Sequence, residues 1–364
     1  MATGLGYPAV MGAGKETTFR TAVNMTDRIS YLSESLSEQI GWVRDDVISG
    51  SAGRSGMDIE TFSVSGQIQT ETRYSQKSGT YFSGNDLLLA VAMGGLHSEK
   101  SANVISYLLG EGTAPHCTIA VQKTVAIWEA ISTHLSGFTL SMKPGDFLHA
   151  DFDAIAYKIL KTGTENEAAQ FTALAASGGK RVLFGDFTFR INTIAAALDS
   201  GDNIGLSDFK LTFKNNLSEP TFSTPDVDAT HTEARYTIEP VYNGFRECSV
   251  EFKLPRYLTG GVTNWATQLE TWKAAATPLQ LSGEASIDAG AKTFKLLMPH
   301  LIIEDIQTPV AGPQALETTV KAKLFRGASA ANTYMLLSDA ATAIVDEFVI
   351  EMKNTTDGRT EVPY

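Results

Sequence analysis

The sequence predicts a mainly β protein built from two tandem domains, each with one short flanking helix. Apolar and polar residues alternate along many segments, helical patterns are few, and short patterns recur in the same order in both halves. The 364 residues exceed the roughly 250–300 at which a single hydrophobic core stops growing. With 43% hydrophobic and 19% charged residues, the chain has enough apolar surface for packed cores.

Alternation of apolar and polar side chains identifies the strands. It is clearest in Phe209–Lys214, Cys248–Leu254 and Phe62–Glu71, where one face would be buried and the other wet. Half-buried strands of this kind are typical of antiparallel sheets. Further strands are predicted at Cys117–Val121, Gly137–Met142, Asp151–Tyr157, Phe184–Ile191, Thr293–Leu297, Thr318–Phe325 and Glu347–Lys353.

Two short helices are predicted, one for each domain. The first covers Asn85–Gly95, with capping residues at its start and glycines at its end. The second covers Asn264–Ala276, with Asn264 as its N-cap and two tryptophans, Trp265 and Trp272, on one face. Each helix would cover an open face or end of a sheet.

Short matches between the two halves occur in the same order, which is expected of a divergent duplication. They pair Thr18-Phe19-Arg20 with Thr188-Phe189-Arg190, Leu36-Ser37-Glu38 with Leu217-Ser218-Glu219, Arg73-Tyr74 with Arg256-Tyr257, and His134-Leu135 with His300-Leu301.

Polar, glycine-bearing segments then set the boundaries. We predict an N-terminal arm at residues 1–17, a first domain at 18–165, a second domain at 180–355 and a C-terminal tail at 356–364. Two long polar segments, Arg44–Glu60 and Asn215–Gly244, are interpreted as extended hairpin loops that reach a neighbouring molecule.

Charge and cysteine content limit the function. The chain has 29 basic and 41 acidic residues and a net charge of -12, which disfavours tight binding to nucleic-acid phosphates. An acidic surface would instead let a polyanion pass without adsorbing. Cys117 and Cys248 lie in unrelated apolar stretches, as core residues in a reducing compartment do. Neither a signal peptide nor a membrane span is predicted, since the aliphatic run Leu87–Met93 is too short to cross a bilayer.

No motif supports catalysis, a cofactor or a metal. Gly12–Thr17 lacks the first glycine of a phosphate-binding loop, so this segment is interpreted as part of a flexible arm. Asp151 and Asp153 with His149 resemble a metal-binding pattern, but they also fit the wet face of a strand. Metal-ligand spacing does not occur among the six histidines, which are His97, His116, His134, His149, His231 and His300.

Several segments together resemble the tail tube proteins of siphophages, which are phages with long non-contractile tails. In the first half these are Gly14–Phe19, Leu32–Leu36, Gly66–Tyr74 and Asp86–Gly94. In the second half they are Leu211–Asn216, Ile238–Pro240 with Gly244–Arg246, and Met298–Leu301. The resemblance implies a mainly β, sandwich-like or barrel-like fold with a flanking helix, duplicated in tandem, and a structural virion protein rather than an enzyme.

That family implies a major tail tube subunit whose stacked rings form a hollow channel for DNA. A two-domain chain would form trimeric rings with pseudo-sixfold symmetry, and hexameric rings are the alternative. Expected partners are other copies of the chain, the tape measure protein and the tail terminator, without specific DNA binding and without a membrane. Assembly would take place in the host cytoplasm, and the product would be part of the virion.

The loop between the rings is placed at Arg44, Asp45, Asp46 and Arg54. Two alternatives remain open at this point. One is another β-rich virion component, either a tail terminator or a decoration protein. The other is a carbohydrate-binding β-sandwich module, for which the four tryptophans show no clustering in the sequence.

Overall fold

The computed structural model describes most of the chain. The described residues are 9–44, 56–74, 76–78, 81–94, 98–101, 104–112, 114–163, 165–174, 179–218, 220–222, 236–256, 264–310, 316–327, 335–337 and 343–355. Residues up to 174 are called the first half below, and those from 179 onwards the second half.

The first half is dominated by strands and has two short helices. In chain order its elements are β1 (Val10–Lys15), β2 (Asp27–Ile29), β3 (Tyr31–Glu34), β4 (Ser37–Arg44), β5 (Met57–Glu71), β6 (Gln76–Ser78), β7 (Tyr81–Gly84), α1 (Asp86–Ala92), β8 (Ser98–Ser101), β9 (Val104–Tyr107), β10 (Cys117–Lys123), β11 (Ala126–Met142), β12 (His149–Ala156), β13 (Lys158–Leu160) and α2 (Ala168–Ala173).

The second half has the same character and one helix. Its elements are β14 (Phe187–Thr193), β15 (Asn203–Ile204), β16 (Asp208–Lys214), β17 (Glu247–Leu254), α3 (Trp265–Ala274), β18 (Leu279–Ile287), β19 (Lys292–Gln307), β20 (Thr318–Leu324) and β21 (Val349–Asn354). All pairings between named strands are antiparallel except that of β2 with β7. The predicted mainly β, antiparallel class is therefore confirmed.

The N-terminal segment differs from the prediction. Instead of a flexible arm, Val10–Lys15 forms a strand that pairs with β10 on one side and β2 on the other. Gly12 and Gly14 explain both why this strand packs closely and why the sequence did not predict it. A methyl group added at Gly14 would lie 2.3 Å from the Asn24 carbonyl oxygen, so close packing selects glycine there. The two glycines remove the side chains whose alternation would have indicated a strand.

The helices begin almost where the sequence places them, but their capping differs. The side chain of Asn264 accepts a hydrogen bond from the Thr267 amide at 3.2 Å, as an N-cap does. Asn85 precedes α1 without capping it. Its side chain donates instead to the hydroxyl of Thr70 in β5 and to that of Thr72, just after β5. The short helix α2 has no counterpart in the prediction.

Both halves build a hydrogen-bonded ladder with the same strand order. In the first half the order is β4-β5-β12-β11-β10-β1. In the second half it is β16-β17-β20-β19-β18-β14. A short helix follows the second ladder strand in chain order in each half, α1 packing near β11 and α3 near β19.

Two β-bulges occur at equivalent places in the halves. In β11 they lie opposite Cys117–Ile119 and at Leu135–Gly137, and in β19 opposite Leu279–Leu281 and at Ile303–Asp305. A bulge adds a residue to one strand and bends it, so shared bulges are a sensitive register marker.

The bulges correct two of the sequence matches. Thr133 pairs with Cys117 just as Leu301 pairs with Leu279, so His134 corresponds to Ile302 and not to His300. Similarly, the ladders align β1 with β14, and Phe189 then corresponds to Met11 rather than to Phe19. The equivalence of the halves is geometric and barely visible in residue identities.

The two ladders are joined into one sheet system with a continuous core. Strand β11 of the first half pairs with β16 of the second, and β21 pairs with β9. At the first junction the rings of Phe138 and Phe213 lie 5.4 Å apart, and Phe213 lies 5.3 Å from Phe348. Because these buried rings come from both halves, the halves cannot separate without exposing the core.

We predict that Phe138→Ala lowers the free energy of unfolding by about 3–5 kcal/mol, because it removes a fully buried ring at the junction. The measurement is denaturant unfolding of the unassembled subunit, followed by hydrogen exchange of peptides from both halves. Peptides of both halves should lose protection at the same denaturant concentration. Loss of protection in the first half alone would contradict a shared core.

Candidate functional site

One face of the joined sheet is polar over several adjacent strands. Along β12 the burial alternates strictly, and β16, β17 and β20 show the same alternation. Buried side chains point toward the core and the helices, which leaves the other face wet. Members of this wet face include Gln67, Gln69, Asp151, Asp153, Thr139, Lys210, Thr212, Lys214, Ser249, Glu251, Lys253, Lys321, Lys323 and Glu304.

The wet face carries both signs of charge. In the second half three of its lysines lie beside carboxylates: Lys253 Nζ is 2.9 Å from Asp208, Lys323 Nζ is 3.2 Å from Glu304 and Lys321 Nζ is 3.8 Å from Glu251. In the first half the face is amide-rich and acidic, and Gln67 donates to Asp153 at 2.8 Å. The net acidity of the chain is thus not concentrated on this face.

Asp151 and Asp153 lie on the wet face, as the strand interpretation requires. Burial raises the pKa of Asp151, and the repulsion from Asp153 adds to this effect, while His149 and Lys210 oppose it. His149 contacts Asp146 at 3.2 Å. Asp153 and His149 each have a polar partner in the chain, which are Gln67 and Asp146.

Two strand edges are left open along this sheet. Among the described residues, β4 has a ladder partner on one side only, which is β5. Strand β19 pairs with β21 as far as Leu297 and with β18 as far as Leu301. Beyond Leu301, its only ladder partner in the part of the chain that the structure describes is β20. The open strand β4 exposes large apolar side chains, with Trp42 at 49% and Val43 at 48%. Open edges with apolar side chains are templates for pairing with another chain.

One residue of the predicted inter-ring loop, Arg44, is described by the structure and lies at the end of an open edge. Arg44 is the last residue of β4 and is exposed, opposite Met57 of β5. Asp45, Asp46 and Arg54 lie outside the described residues. The β4–β5 hairpin is longer than its counterpart β16–β17, since β5 has 15 residues and β17 has 8.

The second long loop packs on its own chain. Leu217 lies opposite Tyr242, so the ends of the Asn215–Gly244 segment run back along each other. The ring of Tyr236 stacks on Phe62 of the first half at 5.0 Å. The described part of this loop therefore joins the two halves, whereas the sequence suggested an arm toward a neighbour.

A cluster of titratable groups beside this loop was missed by sequence reasoning. His116, His134 and Glu239 place one ligand atom each within 4.8 Å of one another. Burial and the nearby His116 lower the pKa of His134 to about 3, with the Pro115 carbonyl opposing, so that His134 is neutral at neutral pH. The three residues are far apart in sequence, and no local spacing signals their proximity.

We predict that Asp151→Asn stabilises the subunit at neutral pH. The raised folded-state pKa means that ionised Asp151 destabilises the fold, and this penalty disappears as pH falls below the ordinary aspartate value near 3.9. Unfolding of wild type and variant should be compared between pH 7 and about pH 3, and the difference should vanish at the acidic end, below the ordinary aspartate pKa. The matched control is Asp153→Asn, because the wild-type Asp153 carboxylate already accepts a hydrogen bond from Gln67. An equal gain in stability from this control would contradict a specific penalty at Asp151.

In the part of the chain that the structure describes, no helix has the length and hydropathy needed to cross a bilayer.

Comparison with known proteins identifies the family of the chain. A family model described as phage tail tube protein matches residues 6–359, which is nearly the whole chain. None of the curated proteins matches the chain. Because the matched region contains both ladders and both open edges, the chain belongs to the phage tail tube protein family.

Proposed function

We propose that the chain is the major tail tube subunit of a siphophage, that it has no catalytic role, and that it forms trimeric rings with pseudo-sixfold symmetry. One observation carries this proposal: the junction between β11 and β16 inside the chain has an unfilled counterpart at the open edges of β19 and β4. Membership of the tail tube family supports self-association into a tube.

A tandem duplication is the first step of the argument. The shared strand order and the two shared bulges support descent of both halves from one domain. The proposed boundaries place the domains at 18–165 and 180–355, with strand β1 contributed by the N-terminal segment.

Correspondence of strands then defines the missing contact. Through the bulges, β19 corresponds to β11, so that Gly137 corresponds to Asp305 and Thr139 to Gln307. In the first half, one row of paired residues across the strands runs from Phe152 through Ile68 to Glu34. The equivalent row in the second half runs from Val320 through Phe252 to Phe209. Glu34 therefore corresponds to Phe209, and the start of β4 corresponds to the end of β16.

The internal junction gives the register of the external one. Gly137 pairs with Lys214 and Thr139 with Thr212 inside the chain. The corresponding pairs between chains are Asp305 with Gln39 and Gln307 with Ser37 of the next copy. These wet-face pairs are polar and can hydrogen-bond across the strands, as opposed residues in antiparallel sheets do.

Ring closure follows from repetition. Each half contributes four strands to the sheet that carries the wet face. They are β4-β5-β12-β11 in the first half and β16-β17-β20-β19 in the second. Alternating internal and external junctions would let three chains close a barrel and satisfy every edge. Since the helices cover the opposite face, the wet face would line the lumen. There, lysines already paired with carboxylates would hold passing DNA weakly.

Other partners follow from this role. The tape measure protein would occupy the lumen before DNA enters it, and the tail terminator would close the end of the tube. Assembly would take place in the host cytoplasm, and the finished tube would be part of the virion.

We predict that the variant Ser37→Cys with Gln307→Cys forms disulfides between chains under mild oxidation. Directly opposed residues have Cβ atoms about 4.5–5.5 Å apart, which a disulfide bridges with small adjustment. Denaturing gel electrophoresis without reductant should show a ladder that ends at a covalent trimer.

The matched control is Glu38→Cys with Gln307→Cys, which moves one thiol to the opposite face of the strand. It should give little cross-linking. Equal cross-linking in both variants would overturn the register, and a ladder ending at six chains would favour hexameric rings. The two native cysteines are buried in the described structure and should not interfere.

We also predict that deletion of residues 48–56 leaves folded rings that no longer stack. In sequence this segment connects β4 to β5, and in this proposal the connection between these two strands contacts the next ring. Negative-stain electron microscopy should show rings of the deletion variant but no tubes. Normal tubes would refute the inter-ring role proposed for Arg44, Asp45, Asp46 and Arg54.

A further inference from the structure

We propose that the chain binds one transition-metal ion of the zinc class through His116, His134 and Glu239. The site would join the first half, which supplies both histidines, to the loop of the second half, which supplies the carboxylate. This inference is independent of ring formation, because all three residues belong to one chain.

The ligand atoms are close enough for a metal to draw them together. All three lie within 4.8 Å of one another, and His116 Nδ1 is 4.0 Å from Glu239 Oε1. Zinc bonds of about 2.0–2.2 Å in a tetrahedral arrangement place ligand atoms about 3.3 Å apart. The ligand atoms would have to approach one another by up to about 1.5 Å. Glu239 can supply its share because its side chain is 36% exposed, and the histidine rings would supply the rest by small rotations.

A buried carboxylate orients the first histidine. Glu16 lies 3.6 Å from His116 Nε2, on the side of the ring opposite to the proposed metal. It is fixed by bonds from the Thr118 hydroxyl and from both the amide and the hydroxyl of Ser132. A carboxylate beside one ring nitrogen favours the proton there and leaves the other nitrogen for a metal, as in carboxylate–histidine–metal arrangements.

The surroundings are suited to holding an ion. The two imidazole rings lie 5.2 Å apart, and Phe19 contacts both, at 5.8 Å from His116 and 6.0 Å from His134. This aromatic cover limits access to water, while the partly exposed Glu239 leaves a path from solvent. Two imidazoles and one carboxylate suit zinc, cobalt or nickel better than calcium or magnesium, which prefer oxygen ligands. Water would complete the coordination.

The fold itself does not require these histidines. Through the shared bulge, Cys117 corresponds to Leu279, so the positions of His116 and His134 are taken by Pro278 and Ile302 in the second half. The equivalent place there offers no metal ligand. A packing role alone would not call for two adjacent imidazoles facing two carboxylates.

The test is titration of the full-length, chelator-treated chain with Co²⁺, followed by displacement with Zn²⁺. We expect one Co²⁺ per chain, the visible ligand-field bands of tetrahedral Co²⁺, and a rise in Tm when Zn²⁺ is added. Glu239→Gln and His134→Gln should each abolish the bands. Glu16→Gln should weaken the affinity by about 10–100-fold, as loss of a carboxylate behind a ligand does.

His300→Gln is the matched control, since His300 is a β19 histidine whose ring contacts Phe325 in a tilted arrangement, with 5.9 Å between ring centroids, and lies outside the cluster. It should bind Co²⁺ as wild type does. Glu239 is partly exposed, so its variant should fold even if a change at His134 does not, and melting without metal checks this. Equal binding by wild type and Glu239→Gln, or no saturable binding by wild type, would overturn the proposal.

Discussion

The antiparallel pairing of β11 with β16 is the contact on which the rest of the structure depends. It converts two ladders into one sheet and brings Phe138 and Phe213 into contact. In the proposed ring the same pairing would serve as the template for the contact between chains, since β19 corresponds to β11 and β4 to β16. Assembly would then require only that a contact already present inside the chain be repeated between chains.

Sequence reasoning was most successful where one face of a strand is wet. Phe209–Lys214 and Cys248–Leu254 alternate cleanly because solvent lies on one side of β16 and β17. It was less successful in β11, because every residue from Glu129 to Leu135 is buried and the sequence there shows no alternation of apolar and polar residues. Buried strands and glycine-bearing strands such as β1 depend on neighbours that local pattern does not reveal.

The features relevant to function divide in the same way. Family membership could be predicted because many weak patterns recur along the whole chain, and the family match confirms it. The open edges could not, since an edge is defined by which strands fail to pair. The His116–His134 cluster likewise arises only when β10 and β11 lie side by side and Glu239 is brought to them by a loop from the other half.

The unequal hairpins have a consequence for how rings meet. Strands β4 and β5 extend well past the point at which β16 and β17 end, so the two halves present different outer ends despite their matching ladders. A trimeric annulus of such chains would be sixfold inside and threefold at its rim. Successive annuli would then lock at rotations of one third of a turn instead of one sixth, which restricts the helical pitch available to the filament.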